Sequence, residues 1–330
     1  MENELLFEMQ NAFPMSEQPF KQVAEKLNTT EEEVLTLVQK LKDEKIIRQT
    51  SAIFDTKRLG YKSSLVAFKV PKDKIDEAAA IINKHPGVSH NYLRNHEYNI
   101  WFTMAVAPDS KLGLEKTIEI LKQQTDAEDG IVLPTLKMFK ISVKMDTTGK
   151  RAKKEKLKKL SHKEIDLTPQ HIAVIKELQK DIEICNEPFK TAIKKLNISY
   201  DEFFTLANEL KESGVMRRFA TILNHRKAGF GANAMSVWVV PEDKGEEVGR
   251  QMAEFSAVSH CYLRPSYPNW PYNLFAMIHG KSQEECDSLI EEMAKESGLT
   301  EYGKLYSTVE FKKQRLVYFD DAFKAWEEAI

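Results

Sequence analysis

The chain carries the stretch HPGVSHNYLRNHEYNIWFT at residues 85–103, and a related stretch, VSHCYLRPSYPNWPYNLFAMIHG, recurs at residues 258–280. Ser89-His90 aligns with Ser259-His260, so the offset between the two copies is 170 residues (260 minus 90). Towards the N-terminus, Gly60 aligns with Gly229 at an offset of 169 (229 minus 60). The offset between the copies is therefore nearly constant over most of the chain. This predicts a tandem duplication of one structural unit.

The elements around these stretches alternate between strand and helix. In the first copy the pattern predicts, in order, a strand at 64–70, a helix at 72–84, strands at 89–94 and 98–106, a helix at 111–125 and a last strand near 136–143. This βαββαβ order favours an antiparallel sheet with both helices on one face, the ferredoxin-like arrangement. The other face must then be covered by a partner or by the sister copy.

A helix-turn-helix is predicted upstream of each sheet. Val34, Leu37, Val38 and Leu41 follow the i, i+3, i+4, i+7 spacing of an amphipathic helix, and residues 203–210 repeat it. Shorter helical stretches at 20–27 and 189–196 precede these helices, and β-like wings at 46–54 and 215–223 follow them.

The fold class is therefore α+β, a tandem duplication in which each half is a winged helix-turn-helix followed by a ferredoxin-like sheet domain. The predicted helix-turn-helix domains are 1–60 and 166–229, and the predicted sheet domains are 61–146 and 230–330. Residues 147–165 contain seven Lys or Arg side chains crowded between 150 and 159 and read as a basic linker.

Composition narrows the classes of function. Apolar residues make up 42% and charged residues 30%, the balance of a folded globular protein, and the net charge of −2 gives no general reason to expect a polyanion partner. The three cysteines form no CxxC pair, so the sequence predicts neither a disulfide framework nor a metal site held by protein motifs. The opening stretch does not resemble a secretion signal and no run of apolar residues is long enough for a bilayer, which predicts a cytoplasmic protein.

The order of helix-turn-helix, wing and βαββαβ sheet, with IIRQ at 46–49 and LGY at 59–61, resembles the Lrp/AsnC regulators. The two stretches quoted first, together with RRFATILNHRKAGF at 217–230, resemble more specifically the two subunit types of the siroheme decarboxylase family. In that family two related chains, often separate, form a heterodimer, and this chain resembles a fused pair whose halves pair with each other. Further association into a homo-oligomer is left open. The resemblance implies removal of carbon dioxide from two acetate side chains of siroheme, on a route to haem or haem d1, without an added organic cofactor.

Candidate site residues lie on the repeated strand. His90, Tyr92 and Arg94 alternate along it and so project from one face, and His260, Tyr262 and Arg264 do the same in the second copy. Taken singly, each of these residues could be an ordinary polar group on the solvated face of an antiparallel sheet, or it could take part in the packing between the two copies. The recurrence of the whole triplet favours a functional pocket.

Decarboxylation requires a group that delivers a proton and groups that bind carboxylates, and the candidate residues can be assigned to these two roles. Histidine or tyrosine suits proton delivery, which nominates His90 and His260 with Tyr92 and Tyr262, although either histidine could instead be an axial ligand of the siroheme iron. Arginine suits carboxylate binding. The candidates are Arg48, Arg94, Arg217, Arg218 and Arg264. His225 and His96 are second-rank histidine candidates, and His225 is also a candidate for substrate binding.

Aromatic side chains could stack on a flat macrocycle. Trp101, Tyr267, Trp270 and Tyr272 are candidates, and Trp101 fits a core position equally well. Trp270 lies in a Pro-rich insertion of the second copy, at 265–271, where no regular core demands it, so we expect a pocket wall or lid.

Two other functions compete with catalysis. A ligand-responsive DNA regulator of Lrp/AsnC type would use the helix-turn-helix, but both second helices begin with carboxylates, which repel a phosphate backbone. These helices start as Thr30-Glu31-Glu32-Glu33 and Ser199-Tyr200-Asp201-Glu202. A haem-binding sensor without turnover is the third possibility.

Overall fold

The structure is a computed structural model that describes residues 1–11, 13–141, 154, 163–224 and 232–330. It divides into two compact units. The helix-turn-helix unit holds the described residues of both repeats within 1–59 and 163–224, and the sheet unit holds those within 60–141 and 232–330 with residue 154. Like elements of the two repeats are thus grouped together. Most of the predicted linker at 147–165 lies outside the described residues.

The described elements follow the repeat. The first copy contains α1 (Glu2–Asn11), α2 (Pro19–Leu27), α3 (Glu31–Asp43), β1 (Ile47–Phe54), β2 (Lys62–Lys69), α4 (Ile75–Lys84), β3 (Val88–Arg94), β4 (Ile100–Val106), α5 (Gly113–Gln124), β5 (Asp129–Leu133) and β6 (Lys137–Ile141). The second contains α6 (Pro169–Leu178), α7 (Lys190–Leu196), α8 (Tyr200–Glu212), β7 (Met216–Leu223), β8 (Ala232–Trp238), α9 (Gly245–Glu254), β9 (Val258–Leu263), β10 (Leu274–Gly280), α10 (Gln283–Ser297), β11 (Tyr302–Lys313) and α11 (Ala322–Glu328). Within the described ranges no helix is long and apolar enough to cross a membrane, and the cytoplasmic location stays a prediction.

The helix-turn-helix pairs form as the spacing predicts. Thr30 caps α3 in a capping box with Glu33, and Ser199 caps α8 in the same way with Glu202. Such boxes satisfy backbone N–H groups that the first helical turn leaves without partners. The two wings, β1 and β7, pair antiparallel with each other, so the two repeats meet within this unit.

The sheet unit contains one nine-stranded sheet in the order β5-β2-β4-β3-β11-β8-β10-β9-β6, in which the sheets of the two repeats join into one half-barrel. The last strand predicted near 136–143 forms as β6, but the prediction that it closes the first βαββαβ motif is wrong. β5 closes that motif by pairing with β2, whereas β6 crosses to β9 of the second repeat. In the second repeat the single strand β11 has both roles. It closes the motif of its own repeat by pairing with β8, and it crosses to the other repeat by pairing with β3.

Each face of the sheet has its own core. The helix face packs on α4, α5, α9 and α10 through two apolar clusters, one for each repeat. The opposite face, here called the inner face, joins Trp101 and Leu133 of the first repeat to Val237, Phe275 and Leu305 of the second. The sister copy therefore covers the second face of each sheet, which is one of the two possibilities that the sequence left open.

Candidate active site

The first triplet lies on the inner face of β3. Tyr92 pairs with Trp101 of β4, and Trp101 belongs to the inner core. Asn91, the neighbour of Tyr92, turns to the helix face and donates from Nδ2 to Oδ1 of Asn83 on α4 at 3.0 Å. Because successive strand residues alternate between faces, His90 shares the inner face with Tyr92.

The second triplet repeats this arrangement on β9. Tyr262 pairs with Phe275 of β10, which lies in the inner core, whereas Cys261 is buried in the helix-face core. His260 and Tyr262 therefore face the inner side, and their ring centroids are 6.1 Å apart. The corresponding rings of the first triplet are also 6.1 Å apart. The strand pattern read from the sequence thus has the same geometry in both copies.

The two arginines are buried, whereas their histidine and tyrosine neighbours are half-buried. Arg94 is 5% exposed and donates from Nη1 to the Leu305 carbonyl at 2.9 Å. Arg264 is 9% exposed and donates from Nη1 to the Leu133 carbonyl. Each guanidinium group thereby forms a hydrogen bond with a strand of the other repeat, Arg94 with β11 and Arg264 with β5. Their predicted role in carboxylate binding stays a prediction.

Burial also sets the electrostatics of these arginines. It lowers the pKa of Arg94 and of Arg264 to about 10, with the neighbouring tyrosines acting in the opposite direction. The guanidinium carbons lie 5.6 Å from the Tyr92 ring centroid and 4.9 Å from that of Tyr262. Among the described residues neither Nε has an acceptor and neither side chain is in an ion pair with a carboxylate. A pKa of about 10 still keeps both guanidinium groups charged at neutral pH, so they bring positive charge to the inner face.

Serine hydroxyls hold the two histidines. Ser89 Oγ lies 3.0 Å from His90 Nδ1, and Ser259 Oγ lies 2.8 Å from His260 Nδ1. Ser259 Oγ is also 2.8 Å from Nε2 of His279 on β10. The repeated Ser-His pair was visible in the sequence, but it did not reveal this contact with His279.

His279 is neutral near pH 7. Burial, assisted by the positive charge of Lys313, lowers its pKa to about 4. A neutral imidazole carries one N–H and one acceptor nitrogen, so it can pass a proton along a hydrogen-bonded chain.

Two protein-family models match the chain, each of them twice. The AsnC-like ligand binding domain matches residues 58–140 and 227–312, which include both triplets. The Siroheme decarboxylase NirDL-like HTH domain matches residues 2–48 and 172–217. Both halves of the repeat are thus matched by the same pair of models.

Similarity to known proteins extends over nearly the whole chain. It is 41% identical over 318 residues to a protein named siroheme decarboxylase from Hydrogenobacter thermophilus (strain DSM 6534 / IAM 12695 / TK-6), which covers 96% of this chain and 95% of that protein. The chain belongs to the siroheme decarboxylase family. A siroheme decarboxylase NirDL subunit from Paracoccus denitrificans (strain Pd 1222) is 31% identical over 293 residues, and 87% of each chain is covered.

A solved structure of the family agrees with the fold. The crystal structure of siroheme decarboxylase NirDL in co-complex with an iron-uroporphyrin III analogue matches with a TM-score of 0.78 and 36% identity, covering 99% of this chain and 98% of that one. The resemblance read from the sequence, including the fused two-subunit form, is confirmed.

Three of the remaining basic candidates, Arg48, Arg217 and Arg218, lie in the helix-turn-helix unit. Arg48 is exposed on β1. Arg217 forms an ion pair with Asp55 at 2.7 Å, and burial lowers the pKa of Arg218, with the charge of Arg217 adding to the effect. His225 lies outside the described residues.

The aromatic candidates are core residues. Trp270 is fully buried in the inner core, with its ring centroid 5.1 Å from Trp101 and 5.0 Å from Tyr272. This corrects the argument that no core demands Trp270, because its insertion folds back onto the sheet instead of projecting from it. His96 packs edge-on against Trp270, at 5.2 Å, and burial lowers its pKa.

Proposed function

We propose that this chain decarboxylates two acetate side chains of siroheme to methyl groups, giving didecarboxysiroheme. The observation that carries the proposal is the 41% identity to a siroheme decarboxylase over 96% of the chain. The repeated His-x-Tyr-x-Arg strand supports it, since it brings an acid, a phenol and a cation to the inner face twice. The complex of a relative with an iron-uroporphyrin III analogue supports a tetrapyrrole as the substrate.

The reaction needs little from the protein beyond binding and a proton. The bond between the methylene carbon and the carboxylate breaks, carbon dioxide leaves, and the electron pair stays on the methylene carbon. The conjugated macrocycle can delocalise that pair until a proton binds the same carbon and completes the methyl group. Each carbon dioxide released therefore consumes one proton and no oxidant. For this reason we propose that no added organic cofactor takes part.

His90 and His260 are the two candidates for the source of the proton. Imidazole titrates near neutrality, and the serine at Nδ1 holds each ring in place. Tyr92 and Tyr262 lie next along the same faces and are the proposed assistants. The competing role, axial ligation of the siroheme iron, predicts that replacing a histidine changes the absorbance spectrum of bound siroheme while turnover persists.

Positive charge at the inner face matches a substrate with many carboxylates. Arg94 and Arg264 supply it without a neutralising acid among the described residues. We propose that these two cations attract the substrate carboxylates, and Arg48, Arg217, Arg218 and His225 remain further candidates.

The DNA-regulator alternative is not favoured. Glu31, Glu32 and Glu33 form the first turn of α3, and Asp201 and Glu202 lie in the first turn of α8. Carboxylates there stabilise the positive end of the helix dipole and repel phosphates. We therefore expect no salt-dependent retardation of duplex DNA in a gel-shift assay.

Product mass tests the proposal directly. Purified protein incubated with siroheme without oxygen should yield a tetrapyrrole lighter by two carbon dioxide units. An unchanged mass, with the protein folded and siroheme bound, would instead identify a non-catalytic haem-binding sensor.

A further inference from the structure

The strand beside the second triplet presents apolar side chains. On β6, Met138 pairs with Tyr262 and Ile141 pairs with His260. Lys140, next to Ile141, turns to the helix face and donates to a backbone carbonyl at 2.8 Å, which leaves Met138 and Ile141 on the inner face. They are 42% and 40% exposed, so two large apolar side chains of one strand are open to solvent on the same face. We call these two residues the apolar flank.

The strand beside the first triplet presents charges at the same two positions. On β11, Glu310 pairs with Tyr92 and Lys313 pairs with His90. Glu310 and Lys313 form an ion pair at 3.7 Å, with side chains 41% and 26% exposed. Lys312, like its counterpart on β6, turns to the helix face and donates to a backbone carbonyl at 2.7 Å. We call Glu310 and Lys313 the charged flank.

A flat macrocycle should distinguish these flanks. Covering exposed apolar side chains is favourable because it removes them from water. Covering an ion pair requires its desolvation, which the attraction between the charges often does not recover. Glu310 would in addition repel the carboxylates of a polyacidic ligand. The flat face of the substrate is therefore better placed on the apolar flank, beside His260.

The hydrogen bonds at Nδ1 of the two histidines also differ, and this difference likewise favours the second triplet. Ser259 links His260 to His279, with both contacts at 2.8 Å. Ser89 links His90 to Thr103 instead, and Ser89 Oγ lies 2.7 Å from Thr103 Oγ1. The chain behind His260 therefore ends on an imidazole nitrogen, which is a far stronger base than the threonine hydroxyl at the end of the chain behind His90. A histidine that must donate twice per substrate is thus better supplied at position 260.

We propose that the two triplets have different tasks, with siroheme lying against Met138 and Ile141 and His260 delivering the proton, while His90 does not deliver it. This assignment rests on the proposed siroheme decarboxylation. It also means that the first repeat supplies the wall of the site and the second repeat supplies its acid.

The flanks can be exchanged at one matched position. Met138→Glu and Glu310→Met occupy equivalent places in the register, and both side chains are about two-fifths exposed, so both variants should fold. Siroheme is titrated anaerobically into each protein and followed by absorbance. We expect the Kd of Met138→Glu to rise on the order of tenfold to a hundredfold and that of Glu310→Met to stay within about threefold of wild type. A larger effect of Glu310→Met, or wild-type binding by Met138→Glu, overturns the placement.

The histidines provide a second measurement. In single-turnover assays His260→Ala should lose about 10²–10⁴-fold in rate, and at least about tenfold more than His90→Ala. Equal losses, or a larger loss in His90→Ala, overturn the assignment of the proton donor. If the wild-type protein converts no siroheme, the proposed function fails and this inference falls with it. Wild-type conversion without a difference within the matched pairs overturns the inference alone.

Discussion

Replacing Arg264 by Met tests whether a buried cation is kept for the substrate. Burial lowers the Arg264 pKa from 12.5 to about 10, which corresponds to about 3 kcal/mol against the charged form at 1.36 kcal/mol per pKa unit. The bond from its guanidinium to the Leu133 carbonyl opposes this, and such charged hydrogen bonds contribute about 1.5–3 kcal/mol. The two effects nearly cancel. Arg264→Met should therefore change the free energy of unfolding without ligand by less than about 1.5 kcal/mol, whereas its Kd for siroheme should rise on the order of tenfold to a hundredfold.

The assay can report on the sheet unit alone. All four tryptophans, at positions 101, 238, 270 and 326, lie in that unit. Denaturant unfolding followed by tryptophan fluorescence gives the stability of the ligand-free unit, and anaerobic titration followed by absorbance gives the Kd for siroheme.

The opposite pattern would refute the reasoning. If Arg264→Met loses about 3–5 kcal/mol without ligand and binds siroheme as wild type does, the guanidinium is a structural link between the repeats. Arg94→Met is the matched control, because Arg94 makes the corresponding bond to Leu305 and has the same lowered pKa. Its Kd should rise less than that of Arg264→Met, since we place the substrate at the second triplet.

Two further predictions concern stability. Burial, with help from Lys312, lowers the pKa of His85 to about 4, so its contribution is fully present above the unfolded pKa of about 6.5 and is lost as the pH falls through the folded value. His85→Gln should therefore flatten the acid-side loss of stability measured by tryptophan fluorescence, and an unchanged pH dependence would contradict this account. Thr30→Ala and Ser199→Ala should each destabilise the helix-turn-helix unit by about 1 kcal/mol in circular dichroism melts, because each removes a capping box; unchanged melting would show that the boxes contribute nothing.

Features that depend on short spacings follow from the amino-acid sequence alone. Val34, Val38 and Leu41 are buried along α3 because a helix returns to the same face every three to four residues. His90 and Tyr92 share a face because strand side chains alternate. Comparison of the two copies then identified the triplets, and the long matching stretches identified the family.

Which strands become neighbours was decided only in the tertiary structure. The weak pattern DGIVL at 129–133 closes the first sheet motif, and β6 crosses to the other repeat, so the flanks beside the triplets could not be read from either copy. The burial of Trp270 and the contact of Ser259 with His279 arise in the same way. Periodicity determines the face on which a side chain lies, but hydrogen bonding between strands far apart in sequence determines what lies beside it. Here those pairings make two nearly identical triplets chemically different.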